Sequence, residues 1–227
     1  FIYTHGRFPP LLRDGAQGLR GLVDTEIREG GGGRWVVDAS KVPALPLLYS
    51  LAGFDVYVVH LVRDSRAVAY SWRGRDGKTG TTSSGGVKRL QQVQGWRLWK
   101  TAADFCLYSM FTEWAGKVIG RYLLVRYEDF ANTPGEWLGR IFRFVSEVDE
   151  SAGITDGQTA FLRPVHLLGG NPSRLRHGQV DIKPDQEWTS VFTGLDRAVF
   201  TTVTYPFLRR YGYIGRARAA SPVISAL

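Results

Sequence analysis

The sequence predicts an α/β protein with three layers, in which helices cover both faces of a central parallel sheet. Two segments, 35–37 and 56–62, are short and apolar throughout, which is typical of strands buried on both faces. A helical segment at 43–52 lies between them, and a strand–helix–strand unit with short links is expected to be parallel and right-handed. With 227 residues, of which 44% are hydrophobic, we expect one domain over 1–227.

The other elements follow from apolar periodicity and from glycine and proline positions. One more strand is predicted at 122–125. Helices are predicted at 18–28, 66–73, 87–119, 134–145 and 195–211. The longest of them, 87–119, is expected to be amphipathic. We expect an irregular start before 18, a loop at 74–86, a linker at 151–157, an irregular basic segment at 167–185 and a frayed tail at 217–227.

Composition narrows the class of ligand. The net charge is +8, and 23 of the 29 basic residues are arginine, whose planar fork suits phosphate, sulfate or carboxylate. A positive charge also fits nucleic acid, but the arginines fall at strand ends and in one loop rather than among aromatic residues along one face. We therefore expect no nucleic-acid partner.

The sequence shows no pattern typical of a metal site or of a membrane span. Cys106 is the single cysteine, so the chain forms no internal disulfide, and the four histidines show no metal-ligand spacing. No apolar run approaches about 18 residues, and no signal peptide is visible. We expect a cytoplasmic protein without a membrane span. Because the chain starts at Phe1 rather than at methionine, its N-terminus is expected to be incomplete.

The strongest candidate for an anion site is the end of the second strand. The apolar run 56–62 stops at Arg63, and the next helix points its N-terminus toward the same place. Ligands of α/β sheets bind beyond the carboxyl ends of the strands, where helix N-termini favour anions. Ser71 lies two turns into that helix. The alternative is equally simple: Arg63 pairs with a surface carboxylate, and Ser71 is an ordinary helix residue.

Three further positions carry possible chemistry. Lys41 follows the first strand and opens a helix, or is simply an exposed lysine at a helix start. The loop with Arg174, Arg176, His177 and Gly178 has the composition of an anion clamp, or is a mobile basic loop. Tyr127 lies at the exit of the third strand, where it stacks on a base or packs in the core.

A stretch that ends in Gly77, Lys78 and Thr79 is similar to the tail of a Walker A loop. We reject it, because Trp72 stands where the first glycine of that motif is needed and no apolar strand leads into it.

Four strings occur in order along the chain: VVDASKVP, VVHLVRDSRAVAYSW, LLVRYEDF and GNPSRLRHGQVDIKPDQEW. With them the chain resembles, over roughly 35–213, the sulfotransferases that use 3′-phosphoadenosine 5′-phosphosulfate (PAPS), and most of all the bacterial branch related to carbohydrate and tyrosyl-protein sulfotransferases. The resemblance implies a fold of the P-loop nucleotide-hydrolase type, with PAPS as donor and no metal. It also implies sulfuryl transfer to a hydroxyl or amine of a small-molecule, carbohydrate or peptide acceptor.

The resemblance also implies roles for the donor-binding residues. Arg63 and Ser71 match the residues that hold the 3′-phosphate, and Tyr127 matches a tyrosine near the adenine. The segment 176–178 matches an arginine-lysine-glycine loop over the same phosphate, with His177 in place of the lysine, and Arg174 lies beside it. Since histidine is only partly charged near pH 7, this contact is weaker than the lysine would make it.

For catalysis, the resemblance implies that Lys41 stabilises charge on the bridging oxygen, with Ser173 near a serine of similar role. Two parts of the family pattern are not found in the sequence. The donor-gripping serine/glycine/threonine loop is expected before Phe1, and the general base is not identifiable, because Pro43 stands where one branch has histidine.

The main enzymatic alternative is a kinase, but the sequence lacks a Walker A lysine with a magnesium-binding carboxylate. A non-catalytic nucleotide-binding remnant and a basic nucleic-acid-binding module remain the alternative functions.

Overall fold

The computed structural model describes residues 2–4, 36–39, 42–73, 95–145, 154–156, 158–162, 178–192 and 194–215. The chain divides into two compact units, the first comprising 1–61, 111–184 and 221–227, and the second 62–110 and 185–220. The helix predicted at 18–28, the loop at 74–86 and the tail at 217–227 lie outside the described residues. The single domain over 1–227 stays a prediction.

The first unit contains a four-stranded sheet. Its strands are β1 (Ile2–Thr4), β2 (Val36–Val37), β3 (Asp55–Val62) and β4 (Tyr122–Arg126), in the order β2-β1-β3-β4. Because β1 is antiparallel to both β2 and β3, these two strands run in the same direction, as the strand–helix–strand pattern predicted. The α/β class is confirmed, but the sheet is mixed rather than parallel throughout, since the antiparallel β1 lies between β2 and β3. The sequence analysis expected an irregular start and did not predict β1, which is three residues long and depends on pairing with distant segments.

The helix α1 (Leu45–Leu51) connects β2 to β3 and has proline in its first turn, where the missing N–H costs little. Its Tyr49 packs edge-on against Phe54, and the Tyr49 hydroxyl donates a 2.9 Å hydrogen bond to Asp38. Val56 and Val58 of β3 are buried with Tyr49 and Phe54 in one core cluster. The β2–α1–β3 segment therefore has the local order that the sequence predicted.

A close contact joins the long helix α3 (Gly95–Ile119) to β4 within this unit. Tyr122 is buried, and its ring lies against Gly116 of α3 so tightly that a Cβ on residue 116 would fall 2.1 Å from the ring. The Tyr122 hydroxyl is 2.7 Å from His60 Nδ1 of β3. Burial lowers the pKa of His60 to about 4, so this histidine is neutral near pH 7.

Two helices follow β4 directly, namely α4 (Tyr127–Asn132) and α5 (Pro134–Val145). The sequence predicted α5 correctly and missed α4, which is only six residues long. Leu123, Val125 and Trp137 form a second core cluster of the unit.

A separate three-stranded antiparallel sheet completes the first unit. It consists of β5 (Ile154–Asp156), β6 (Thr159–Leu162) and β7 (Gly178–Asp181), with β6 in the middle. The expected linker at 151–157 and irregular segment at 167–185 were therefore wrong at β5 and β7. Strands of three or four residues are stabilised by backbone pairing across the sheet rather than by an apolar pattern that the sequence displays.

The second unit is helical among its described residues. It contains α2 (Ser65–Arg73), the part of α3 up to Met110, α6 (Trp188–Val191) and α7 (Gly194–Arg210). Its core combines small alanines of α2 and α3 with one leucine and three large aromatic residues: Ala67, Ala69, Leu98, Ala102, Trp188, Phe192 and Phe200. The helices predicted at 66–73 and 195–211 are confirmed within a residue, whereas α6 was missed.

The long helix predicted at 87–119 is confirmed from Gly95 onward, but its amphipathic character is not. Trp99 and Trp114 are each about half exposed, at 55% and 51%, while Leu98 and Ala102 are buried. Large apolar side chains therefore lie on the solvent side of α3 as well as on its packed side. Within the described ranges, no helix combines the length and the apolar character needed to cross a bilayer.

Candidate anion-binding site

Arg63 lies where β3 ends and α2 begins. The apolar alternation of β3 stops at Val62, and Ser65 starts the helix two residues after Arg63. The Tyr213 hydroxyl donates to the Val62 carbonyl at 3.4 Å, which ties the end of the strand to the segment after α7. The sequence-predicted arginine is thus at a strand end immediately before a helix, as expected.

Asp64 caps that helix. Its carboxylate is buried, with 4% of the residue exposed, and Oδ1 accepts a 2.9 Å hydrogen bond from the Arg66 backbone N–H. The Arg66 side chain also donates to this carboxylate, through Nε at 2.9 Å and Nη2 at 2.6 Å. A carboxylate at an N-cap satisfies a helix donor and complements the helix dipole. Asp64 therefore takes the Arg66 N–H, which is one of the backbone donors that the sequence analysis expected a ligand to use.

The guanidinium of Arg63 is bound to Asp185. Arg63 Nη2 donates to Asp185 Oδ2 at 2.9 Å and to the Asp185 carbonyl oxygen at 3.1 Å. The other carboxylate oxygen of Asp185 accepts the Glu187 backbone N–H at 3.1 Å. The Arg63 hydrogen bond is the main cause that lowers the pKa of Asp185. The Asp185 side chain is 46% exposed. The pair therefore corresponds to the alternative stated in the sequence analysis, in which Arg63 pairs with a surface carboxylate.

A buried hydrogen bond between two hydroxyl groups joins the start of α2 to α7. Ser65 is fully buried, and its Oγ is 2.7 Å from Thr204 Oγ1. Because Thr204 gives its own hydrogen to the Phe200 carbonyl at 2.8 Å, Ser65 is the donor in this pair. The helix α2 is therefore held against α7 at the residue that follows the Arg63-Asp64 pair.

Cation–π contacts hold the chain around Asp185. The centroid of the Trp188 ring is 5.3 Å from the guanidinium carbon of Arg66 and 5.7 Å from that of Arg197. Such contacts contribute about 0.5–1 kcal/mol each at exposed sites. The contact between Arg66 and Trp188 keeps α6 close to α2. Trp188 therefore anchors the chain three residues after Asp185.

Ser71 is exposed on α2, in the same unit as Arg63. One position before it, the pKa of the Tyr70 phenol is raised, first by burial and next by the Glu187 carboxylate. Ser71 is therefore accessible to a ligand, and the structure is equally consistent with an ordinary helix residue.

Tyr127 and Gly178 belong to the first unit. Tyr127 is half-buried and is the first residue of α4, directly after β4, which agrees with its predicted place at a strand exit. Gly178 starts β7 with φ +86°, a backbone conformation that side chains with a Cβ rarely adopt. A glycine is thus required by the backbone at the end of the predicted anion clamp.

The remaining predicted site residues lie outside the described residues. They are Lys41, Ser173, Arg174, Arg176 and His177. Within the described ranges, no group of three His, Cys, Asp or Glu side chains is arranged to hold a metal ion.

Sequence reasoning missed two carboxylates next to the predicted anion site. Asp64 follows Arg63 directly, and an aspartate before a helix is a known capping signal that could have been used. Asp185 is 122 residues from Arg63, and although it stands in the fourth motif string, no local pattern connects the two. Comparisons of the chain with family models, with curated proteins and with solved structures gave no match.

Proposed function

We propose that this protein is a sulfotransferase that moves a sulfuryl group from PAPS to an acceptor hydroxyl or amine. The observation that carries the proposal is Arg63 at the carboxyl end of the buried strand β3, immediately before α2. Strand ends of this kind are where α/β proteins bind nucleotides, and the same arginine stands in one of four ordered strings that resemble the family.

The finer fold is part of this proposal. A three-layer α/β/α arrangement of the P-loop nucleotide-hydrolase type would place PAPS beyond the strand ends. The β2–α1–β3 order and the shared direction of β2 and β3 support it. The antiparallel β1 is an addition to that pattern.

Donor binding is assigned to arginine-rich contacts. Arg63 and Ser71 would hold the 3′-phosphate, with Arg174, Arg176, His177 and Gly178 closing over it and Tyr127 near the adenine. The structure supplies one supporting fact, since Gly178 has the backbone freedom that close approach to a phosphate requires. No metal takes part in this scheme.

Catalysis would depend on positioning and charge stabilisation. The acceptor oxygen or nitrogen attacks sulfur in line, its bond to sulfur forms, and the bond from sulfur to the bridging phosphate oxygen breaks. Lys41 would stabilise the charge that develops on the leaving oxygen, with Ser173 assisting. A base accepts the proton that the acceptor loses.

The test is calorimetric binding of adenosine 3′,5′-bisphosphate to wild type and to Arg63→Ala. A charge-assisted hydrogen bond is worth about 1.5–3 kcal/mol, so the variant should bind about tenfold to a hundredfold more weakly. The matched control is Arg140→Ala, which removes another partly exposed arginine, paired with Glu136 in α5. It should bind like wild type.

An unchanged affinity in Arg63→Ala would contradict the assignment of Arg63. Binding of duplex DNA or RNA that falls steeply with salt, without preference for the bisphosphate nucleotide, would favour the nucleic-acid module instead. Nucleotide binding without release of adenosine 3′,5′-bisphosphate from PAPS would favour the non-catalytic remnant.

A further inference from the structure

We propose that Asp185 competes with the donor's phosphate for Arg63 and so sets the affinity of the site for the nucleotide. This inference rests on the function proposed above, and it assigns a role to a residue that the motif comparison left without one. Asp185 Oδ2 accepts from Arg63 Nη2 at 2.9 Å, which is the kind of contact that a phosphate oxygen makes with a guanidinium.

The carboxylate is arranged to occupy this position before any ligand arrives. Its second oxygen accepts the Glu187 N–H at 3.1 Å, which fixes the orientation of the carboxylate. The cation–π contacts of Trp188 anchor the chain three residues further on. A phosphate that approaches Arg63 therefore meets the Asp185 carboxylate, which is held in place by the Glu187 backbone N–H.

Exchange of this anion for a phosphate is feasible because the pair is accessible to water. The side chains of Arg63 and Asp185 are 22% and 46% exposed. Exposed ion pairs contribute little to stability, so a ligand can displace one without leaving a charge buried and unpaired. The Arg63 contact to the Asp185 carbonyl oxygen, at 3.1 Å, can persist when the carboxylate moves away. The segment therefore stays attached to the strand end during the exchange.

Asp185→Asn is the variant that tests the competition. The amide has the size of the carboxylate and retains an oxygen for the Glu187 N–H, but it loses the negative charge. We expect it to bind adenosine 3′,5′-bisphosphate about three- to fivefold more tightly than wild type, in proportion to the strength of exposed ion pairs. The gain should shrink at high salt, because salt screens exposed charges.

Two controls separate this effect from a general change in charge. Asp104→Asn removes the same charge from an exposed pair with Lys100 in α3, and it should bind like wild type. In an Arg63→Ala background, Asp185→Asn should give no gain, because the competition acts through Arg63.

The outcomes are distinguishable by calorimetry on the full chain. Tighter binding by Asp185→Asn, with neither control showing it, supports the competition. Equal or weaker binding while wild type binds well would overturn it, and Asp185 would then position Arg63 for the ligand. No binding by wild type or any variant would overturn the proposed function and the competition together.

Discussion

Gly116→Ala tests the close packing of α3 on Tyr122 of β4. In α3, the added Cβ would lie 2.1 Å from Tyr122 Cδ2, 2.7 Å from Cγ and 2.9 Å from Cβ. Rotation of the tyrosine side chain cannot relieve this overlap, because Tyr122 Cβ is itself too close and is fixed to the backbone of β4. Either α3 or β4 must shift.

The expected magnitude combines three effects. Overpacking a core contact costs about 1–3 kcal/mol. Displacing the Tyr122 ring also strains its 2.7 Å hydrogen bond with His60, which is worth about 1 kcal/mol. Alanine is favoured over glycine within a helix by about 1 kcal/mol, which offsets part of the loss. We therefore expect Gly116→Ala to lower the free energy of unfolding by about 1–3 kcal/mol.

The assay is urea unfolding followed by tryptophan fluorescence, with Gly139→Ala as the matched control. Gly139 lies within α5, its φ is not positive, and a Cβ there would meet nothing within 4 Å. The control should therefore be as stable as wild type or up to about 1 kcal/mol more stable. If Gly116→Ala matched or exceeded the stability of wild type, the packing of Tyr122 on Gly116 would be refuted.

Two further predictions concern pH and catalysis. Because the pKa of His60 is about 4 in the folded protein and 6.5 in the unfolded chain, the unfolded state binds more protons below pH 6.5, and stability should fall by at most about 2 kcal/mol between pH 7.5 and pH 5. His60→Gln should remove this part of the slope in urea unfolding, and equal slopes for wild type and variant would count against a neutral His60. Lys41→Ala should slow the release of adenosine 3′,5′-bisphosphate from PAPS by about a hundredfold or more, with the nucleotide affinity nearly unchanged. Undiminished release would remove Lys41 from the mechanism.

The sequence predicted the elements whose apolar pattern is long enough to read. The strand β3 and the helices α2, α5 and α7 lie within one or two residues of their predicted bounds. It missed β1, β5, β6 and β7, because strands of three or four residues are too short to show an apolar pattern and are stabilised by pairing with other strands. It also missed α4 and α6, which have only six and four residues.

The candidate site was likewise predicted only in part. A run that changes from apolar to charged at Arg63 shows in the sequence alone that an arginine stands at a strand end before a helix. The sequence cannot show what that arginine contacts, because its partner Asp185 is 122 residues away. Local patterns determine where a side chain lies on its element, and long-range packing determines which charge it meets.

The sequence by itself therefore determined the α/β class, the order of the main elements and the place of Arg63 at the end of β3. The tertiary structure alone decided that Asp185 holds Arg63 and that Tyr122 packs on Gly116. The physical reason is the distance along the chain over which each effect acts. Hydrophobic periodicity acts over one helix or strand, whereas ion pairs and close packing join residues that only the folded backbone brings within a few ångströms.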